Sequence, residues 1–199
     1  MHPHLETFQS ACADVVAENS GPSEIVRRLA PQMRKLLRAA PEFLEPCHLR
    51  GRPDQYARNL IFAGHDDSLS LFTLVWAPGQ WTPIHDHGTW GVVGVVEGVL
   101  EEQSFVRVDH DVDAHRDEGI ELLPGGLVLL PPGAVATFVP NPDHIHVTGV
   151  PANRGPVLSL HLYGRFLNAF HVYDKAAGTR HLVEAEHTEP GDDMPRRVA

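Results

Sequence analysis

Hydrophobic positions recur with two different periods along this chain, and the change falls between residues 45 and 56. In the first part, Leu5, Phe8, Cys12, Val15 and Val16 follow one another at spacings near 3.6, the period of one helix face. Ser23-Glu24-Ile25-Val26 opens a second helical segment with Ser23 as its N-cap, continued by Leu29, Met33, Leu36 and Leu37. Pro31 lies inside that pattern and is expected to kink or split it, while Pro41 and Pro46 close the helical region. From Tyr56 onward the texture becomes short runs of Val, Ile, Leu and Phe, which predict strands near 56–64, 69–77, 82–87, 91–97, 99–108, 119–123, 127–130, 135–139, 144–150, 157–163 and 169–173. Gly64-His65-Asp66-Asp67, Pro124-Gly125-Gly126 and Pro131-Pro132-Gly133 read as turns between them. Many short strands at regular spacing imply a mainly β sandwich or barrel, a jelly roll among the forms available. The expected organisation is one domain over 1–199: a helical N-terminal segment (1–48), a β-barrel (56–175) and a frayed polar tail (188–199).

A hydrophobic content of 42% over 199 residues is enough for one sizeable core. A formal charge of −10, with no basic stripe, argues against nucleic acid or an anionic membrane surface as the main partner. Cys12 and Cys47 are too few for a disulfide framework and read as apolar fillers in a reducing cytoplasm. The start, Met-His-Pro-His-Leu-Glu, lacks a charged-then-apolar signal pattern, and no apolar run is long enough to span a bilayer. The expected protein is cytoplasmic, a monomer or small homo-oligomer.

The chemistry concentrates in three places. In Trp81-Thr82-Pro83-Ile84-His85-Asp86-His87, two histidines stand one residue apart, and in extended chain both project from the same face. Imidazole suits zinc, copper, iron and nickel, and such a pair needs only one or two further ligands. Pro140-Asn141-Pro142-Asp143-His144-Ile145-His146-Val147 offers two candidates, His144 and His146, that also share a face. Ser159-Leu160-His161-Leu162-Tyr163 alternates three polar groups with two leucines. If that polar face is solvated it is ordinary strand surface. If it is buried its groups must satisfy one another, serine holding one imidazole nitrogen while the other orients the phenol into a cavity.

The first of these segments belongs to a longer pattern: Gly79, five residues, His85-Asp86-His87, three residues, Gly91, six residues, Gly98. It resembles the first motif of the cupins, small β-barrels of jelly-roll type, in which a glutamate stands where this chain has Gly91. Trp90, Val92 and Val93 cannot ligate metal, and Glu97, Glu101 and Glu102 come too late, so no carboxylate ligand is expected. The second cupin motif would place a histidine near Ala136, where there is none. Taken with Ser159-Leu160-His161-Leu162-Tyr163, the sequence is similar to the thiol dioxygenases of cysteine dioxygenase type. These are cupins whose single iron is held by three histidines. In that family the third ligand lies fifteen residues before the histidine of the Ser-x-His-x-Tyr row, and counting back from His161 reaches His146. Tyr56-Ala57-Arg58-Asn59-Leu60 matches the family's Tyr-x-Arg-Asn-Leu segment, so the likeness runs from about Tyr56 to Tyr163, about half the chain.

The resemblance implies Fe(II) on His85, His87 and His146, with dioxygen and a small thiol carboxylate as substrates and both oxygen atoms passing to sulfur. Three neutral imidazoles leave the ion its full charge and open positions, which favours an anionic thiolate. Arg58 would pair with the substrate carboxylate and Tyr56 would line the pocket. Tyr163 would donate a hydrogen bond, oriented by His161 and Ser159. Animal members carry at the position of Gly91 a cysteine linked to the tyrosine; Tyr163 is therefore expected to be unlinked, as in bacterial members. An arginine at position 58 goes with cysteine, a glutamine with 3-mercaptopropionate. Arg165 is a second candidate cation for the carboxylate. Trp81 and Trp90 are expected to pack the barrel mouth and Asp86 to lie on the surface. His110, His115, His171, His181 and His187 are expected to be structural or exposed. A metal-dependent cupin isomerase using zinc or manganese, and a non-enzymatic binding cupin, are the competing expectations.

Overall fold

The two periods become two kinds of layer. A computed structural model of the chain describes residues 1–18, 20–65, 68–109, 116–140 and 144–191. Its helices are α1 (Pro3–Ala17), α2 (Pro22–Arg38) and the single turn α3 (Ala40–Phe43), followed by a 3₁₀ turn, Pro46–Leu49. Helix α2 begins earlier than the serine predicts: Gly21 is the N-cap, at φ 81, and Pro22 takes the first helical position. Pro31 does not split α2. The helix buries Ile25, Val26, Leu29, Met33, Leu36 and Leu37, and that packing outweighs a proline cost of about 3 kcal/mol.

The strands are β1 (Ala57–Ala63), β2 (Ser70–Trp76), β3 (Gly91–Glu97), β4 (Leu100–Arg107), β5 (Leu122–Leu130), β6 (Val135–Phe138), β7 (Ile145–Gly149), β8 (Val157–Tyr163), β9 (Ala169–Asp174) and β10 (Thr179–Glu184). One antiparallel sheet has the order β1-β2-β8-β3-β6. Its outer face, with Leu71, Val92, Leu160 and Leu162, packs under the helices, and Gly94 lets Leu37 and Met33 of α2 come close. Its inner face carries Phe72, Leu74, Trp76, Val93 and Val95. Facing it are β5-β4-β7 and β9-β10. Residues 81–86 stitch these two pieces together. His85 pairs with His146 of β7 on one side and Val172 of β9 on the other, and Trp81 pairs with Gly149. The fold is thus mainly β and cupin-like: a jelly roll of antiparallel sheets, not a fully closed barrel, with N-terminal α-helices.

Four expectations are corrected, three on strands and one on the tail. Residues 82–87 form isolated bridges rather than a regular strand, because Pro83 has no N–H to give to a ladder. The two runs 119–123 and 127–130 join in β5, whose Pro124-Gly125-Gly126 lies opposite a register shift between Gln103 and Phe105 rather than forming a hairpin turn. Strand β10 lies beyond the last expected strand, 169–173, and pairs with β9. The tail is not loose at its start, since Thr188 is buried and bridges β1, exchanging backbone hydrogen bonds with Leu60 and Arg58. His110, His115, Asp66, Asp67 and residues 192–199 lie outside the described residues. Among the described residues no helix is long and apolar enough to cross a membrane.

Candidate metal centre

The doublet is positioned by backbone pairing on both flanks. His85 and His146 exchange two N–H···O bonds of 2.9 Å, while Asp86 donates its N–H to His171 O at 3.1 Å. An antiparallel pair bonded in this way sets the two side chains abreast. The rings of His85 and His146 lie 4.5 Å apart, His87 and His146 5.0 Å, and His85 and His87 4.7 Å, between centroids. One nitrogen of each ring falls within 4.8 Å of the others, so His85, His87 and His146 could together hold a metal ion.

Protonation states favour the same use. His85 donates Nδ1–H to Pro83 O at 3.0 Å, so its Nε2 carries a lone pair, 3.2 Å from Nε2 of His87. Burial, reinforced by neighbouring imidazoles, holds His85 and His87 well below the usual histidine range. Burial also lowers His146, against the pull of Glu102. His87 Nδ1 and both nitrogens of His146 are buried without a hydrogen-bond partner. Neutral, converging imidazoles are a donor set suited to a transition metal. The place where the cupin motif has a carboxylate is taken by the Phe138 ring, which a Cβ on Gly91 would displace. That ring stacks on His87 at 4.4 Å and fixes it.

The opposite wall carries the polar row, and it is buried rather than solvated. Trp76, which can only donate, gives Nε1–H to Ser159 Oγ at 3.0 Å. Among the described contacts the proton of this buried serine hydroxyl has one acceptor, His161 Nε2 at 2.9 Å, and donating there satisfies both groups. That places the imidazole proton on Nδ1, directed at Tyr163 Oη at 3.3 Å, and leaves the phenol O–H to donate into the cavity. Burial pushes His161 down to about 3 and Tyr163 well above the ordinary phenol, so both stay neutral. The Tyr163 and His87 rings are 5.3 Å apart, so the row ends beside the histidine cluster.

Arg58, on β1, lies 4.5 Å over the Phe72 ring. It donates Nη2–H to Leu167 O at 2.6 Å and Nη1–H to Glu186 O at 3.4 Å. The fork is thereby fixed with N–H groups to spare. Tyr56 stacks on Trp76 at 4.6 Å. An outer cavity of about 380 Å³ is lined by Tyr56, Arg58, Trp81, Phe170 and Glu186. Tyr56, Arg58 and Phe170 also line a narrow inner space of about 20 Å³, together with His85, His87, His146, His161 and Tyr163. Of the residues picked out in the sequence, His85, His87, His146, Tyr56, Arg58, His161 and Tyr163 therefore line one inner space, with Ser159 hydrogen-bonded behind His161.

Three secondary expectations fail. Arg165 lines neither space and instead donates Nη2–H to His87 O at 3.0 Å and Ala169 O at 2.7 Å, so it braces the loop of the doublet. Asp86 is buried and accepts the Tyr173 hydroxyl at 2.7 Å, with His171 Nδ1 at 3.4 Å, because β9 covers what would otherwise be surface. Trp81 edges the outer cavity as expected, but Trp90 packs in the helix-facing core. Glu102 stands too late in the motif to take the place of its glutamate. The β4–β7 ladder sets it opposite Thr148, with its carboxylate beside His144 and His146, and burial of its charge is outweighed by those two imidazoles, which hold it far below the usual carboxylate range. A carboxylate beside Nδ1 steadies the tautomer that leaves Nε2 for a metal. The only trace in the sequence is a charged pair, Glu101-Glu102, near the start of a strand that also carries Gln103, Ser104 and Arg107.

No model of a known protein family matches the chain. Among solved structures it is similar to a conserved protein with a double-stranded β-helix domain from Klebsiella pneumoniae, at 14% identity over 69% of this chain and 92% of that one, TM-score 0.43. It is similar also to a cupin-like protein from Thermotoga maritima, at 13% identity over 68% and 84%, TM-score 0.41. A DMSP lyase from Ruegeria pomeroyi matches at 19% identity over 56% of this chain, TM-score 0.38, and this chain spans 47% of its length.

Proposed function

We propose that this chain is an iron-dependent thiol dioxygenase that adds both atoms of O2 to the sulfur of a small thiol carboxylate, L-cysteine before 3-mercaptopropionate. The observation that carries the reading is the meeting of three neutral imidazoles with Arg58 and the Ser159–His161–Tyr163 row across one narrow space. The resemblance to the cysteine dioxygenase family rests on those same residues. His85, His87 and His146 would hold Fe(II), which when bound supplies the redox chemistry that joins dioxygen to sulfur. No external reductant is needed, since the sulfur of the thiolate gives up all the electrons that dioxygen takes on becoming part of the sulfinate.

The protein groups do the rest. Arg58, braced by two carbonyls and the Phe72 ring, clamps the carboxylate and so fixes the direction in which the sulfur points. Tyr163 offers one O–H to the reacting end, and the row through His161, Ser159 and Trp76 keeps that O–H from turning away. Leu167, Phe170 and Val93 keep the inner space dry.

Purified protein loaded with Fe(II), zinc or manganese and supplied with a panel of thiols tests the reading. Oxygen uptake with cysteine, present only with iron, is the expected result. Turnover that needs no oxygen and runs on zinc or manganese would establish a cupin isomerase instead. Uptake with 3-mercaptopropionate but not cysteine would refute the assignment made from Arg58.

A further inference from the structure

Glu102 brings a second set of donors together beside the triad. Its Oε2 stands 3.3 Å from His146 Nδ1 and its Oε1 3.4 Å from His144 Nε2. Charge-assisted N–H···O bonds are shorter, about 2.7–2.9 Å. The spacing also matches the edge of a tetrahedron around zinc, about 3.3–3.4 Å for bonds of about 2.0–2.1 Å. His144 Nδ1 and both His146 nitrogens have no hydrogen-bond partner, and Glu102, His144 and His146 could together hold a metal ion. The ring of His144 is held in place by stacking on Phe138 at 4.7 Å and 6°. Its side chain is 24% exposed, which gives an incoming ion a way in from solvent and leaves room for a water as fourth ligand.

We propose that Glu102, His144 and His146 form a second, inhibitory zinc site that shares His146 with the triad, so that filling one site disables the other. The inhibition rests on the triad being the iron site proposed above. A neutral imidazole carries one proton and one lone pair. When the lone pair is on Nε2, His146 serves the triad. When zinc takes Nδ1, the proton moves to Nε2 and the triad loses its third donor. Zinc prefers the acidic set because the carboxylate offsets its charge, whereas three neutral imidazoles offset none.

The test titrates metal-free full-length protein with zinc chloride while following histidine ring resonances, bound zinc and iron uptake. One zinc per chain is expected, with the His144 resonances shifted and iron uptake blocked. His144→Gln should weaken zinc binding at least tenfold and relieve the block, with iron loading and cysteine-dependent oxygen uptake unchanged in the absence of zinc. Zinc bound with His144 unmoved would overturn the proposal. So would two zinc ions per chain, or zinc binding by His144→Gln equal to that of the unaltered protein. Iron loading that survives His85→Ala would instead sink the triad, and the inhibition with it, while the His144 result still decides the zinc site.

Discussion

The two walls of the cavity divide the work. The wall built by β7 and residues 81–87 carries His85, His87 and His146; the wall built by β1, β2 and β8 carries Arg58, Trp76, Ser159, His161 and Tyr163. The first holds imidazoles that converge on one another, contacted among the described residues by Pro83 O at His85 and by the Glu102 carboxylate at His146. The second is a chain of satisfied hydrogen bonds ending in one free O–H. In the proposed reading one wall holds an ion and the other orients what reacts there. Changes on the first should therefore empty the metal, and changes on the second should slow turnover while the metal stays.

The sharpest break is His146→Ala. It should lower iron content by more than the roughly 10–100-fold that altering a ligand's surroundings costs, and abolish oxygen uptake, as metal analysis would show. Next, Arg58→Gln should cut kcat/KM for cysteine by about 10²-fold with iron content unchanged, and shift preference toward 3-mercaptopropionate in a competition assay. Tyr163→Phe should lower kcat by about 10²-fold, the usual cost of one donor at a reacting centre, again with full iron loading. Ser159→Ala leaves Trp76 Nε1–H and His161 Nε2 unpartnered, so thermal unfolding should reveal a loss of about 1–3 kcal/mol alongside a smaller fall in kcat.

The smallest effect is on pH. His161 titrates near 3 in the fold against 6.5 for the free side chain, and His85, His87 and His146 are also lowered. Below about 6.5 the unfolded chain takes up protons that the folded chain refuses, so stability of the metal-free protein should fall as pH drops from 6.5 toward 3. His161→Gln should flatten part of that slope in melts at stepped pH.

Much of this division was readable in the sequence because it rests on local alternation. Ser159, His161 and Tyr163 share a face by strand geometry alone, with Leu160 and Leu162 turned to the helices. The doublet was legible even though 82–87 is not a regular strand, since two bridges on His85 suffice to hold the chain extended. What stayed hidden depends on distant pairing. Glu102 meets His144 and His146 only through the β4–β7 register, and Asp86 is buried only because β9 lies against it. The absence of a ligand at Gly91 was visible, but its cause, the Phe138 ring occupying that volume, comes from β6 across the sheet.

The measurement closest to the central claim is the mass of the product formed from cysteine by the iron-loaded protein under oxygen-18 gas. A sulfinate carrying two heavy oxygen atoms is the predicted result. Unchanged cysteine, or a product whose oxygen comes from water, would contradict it.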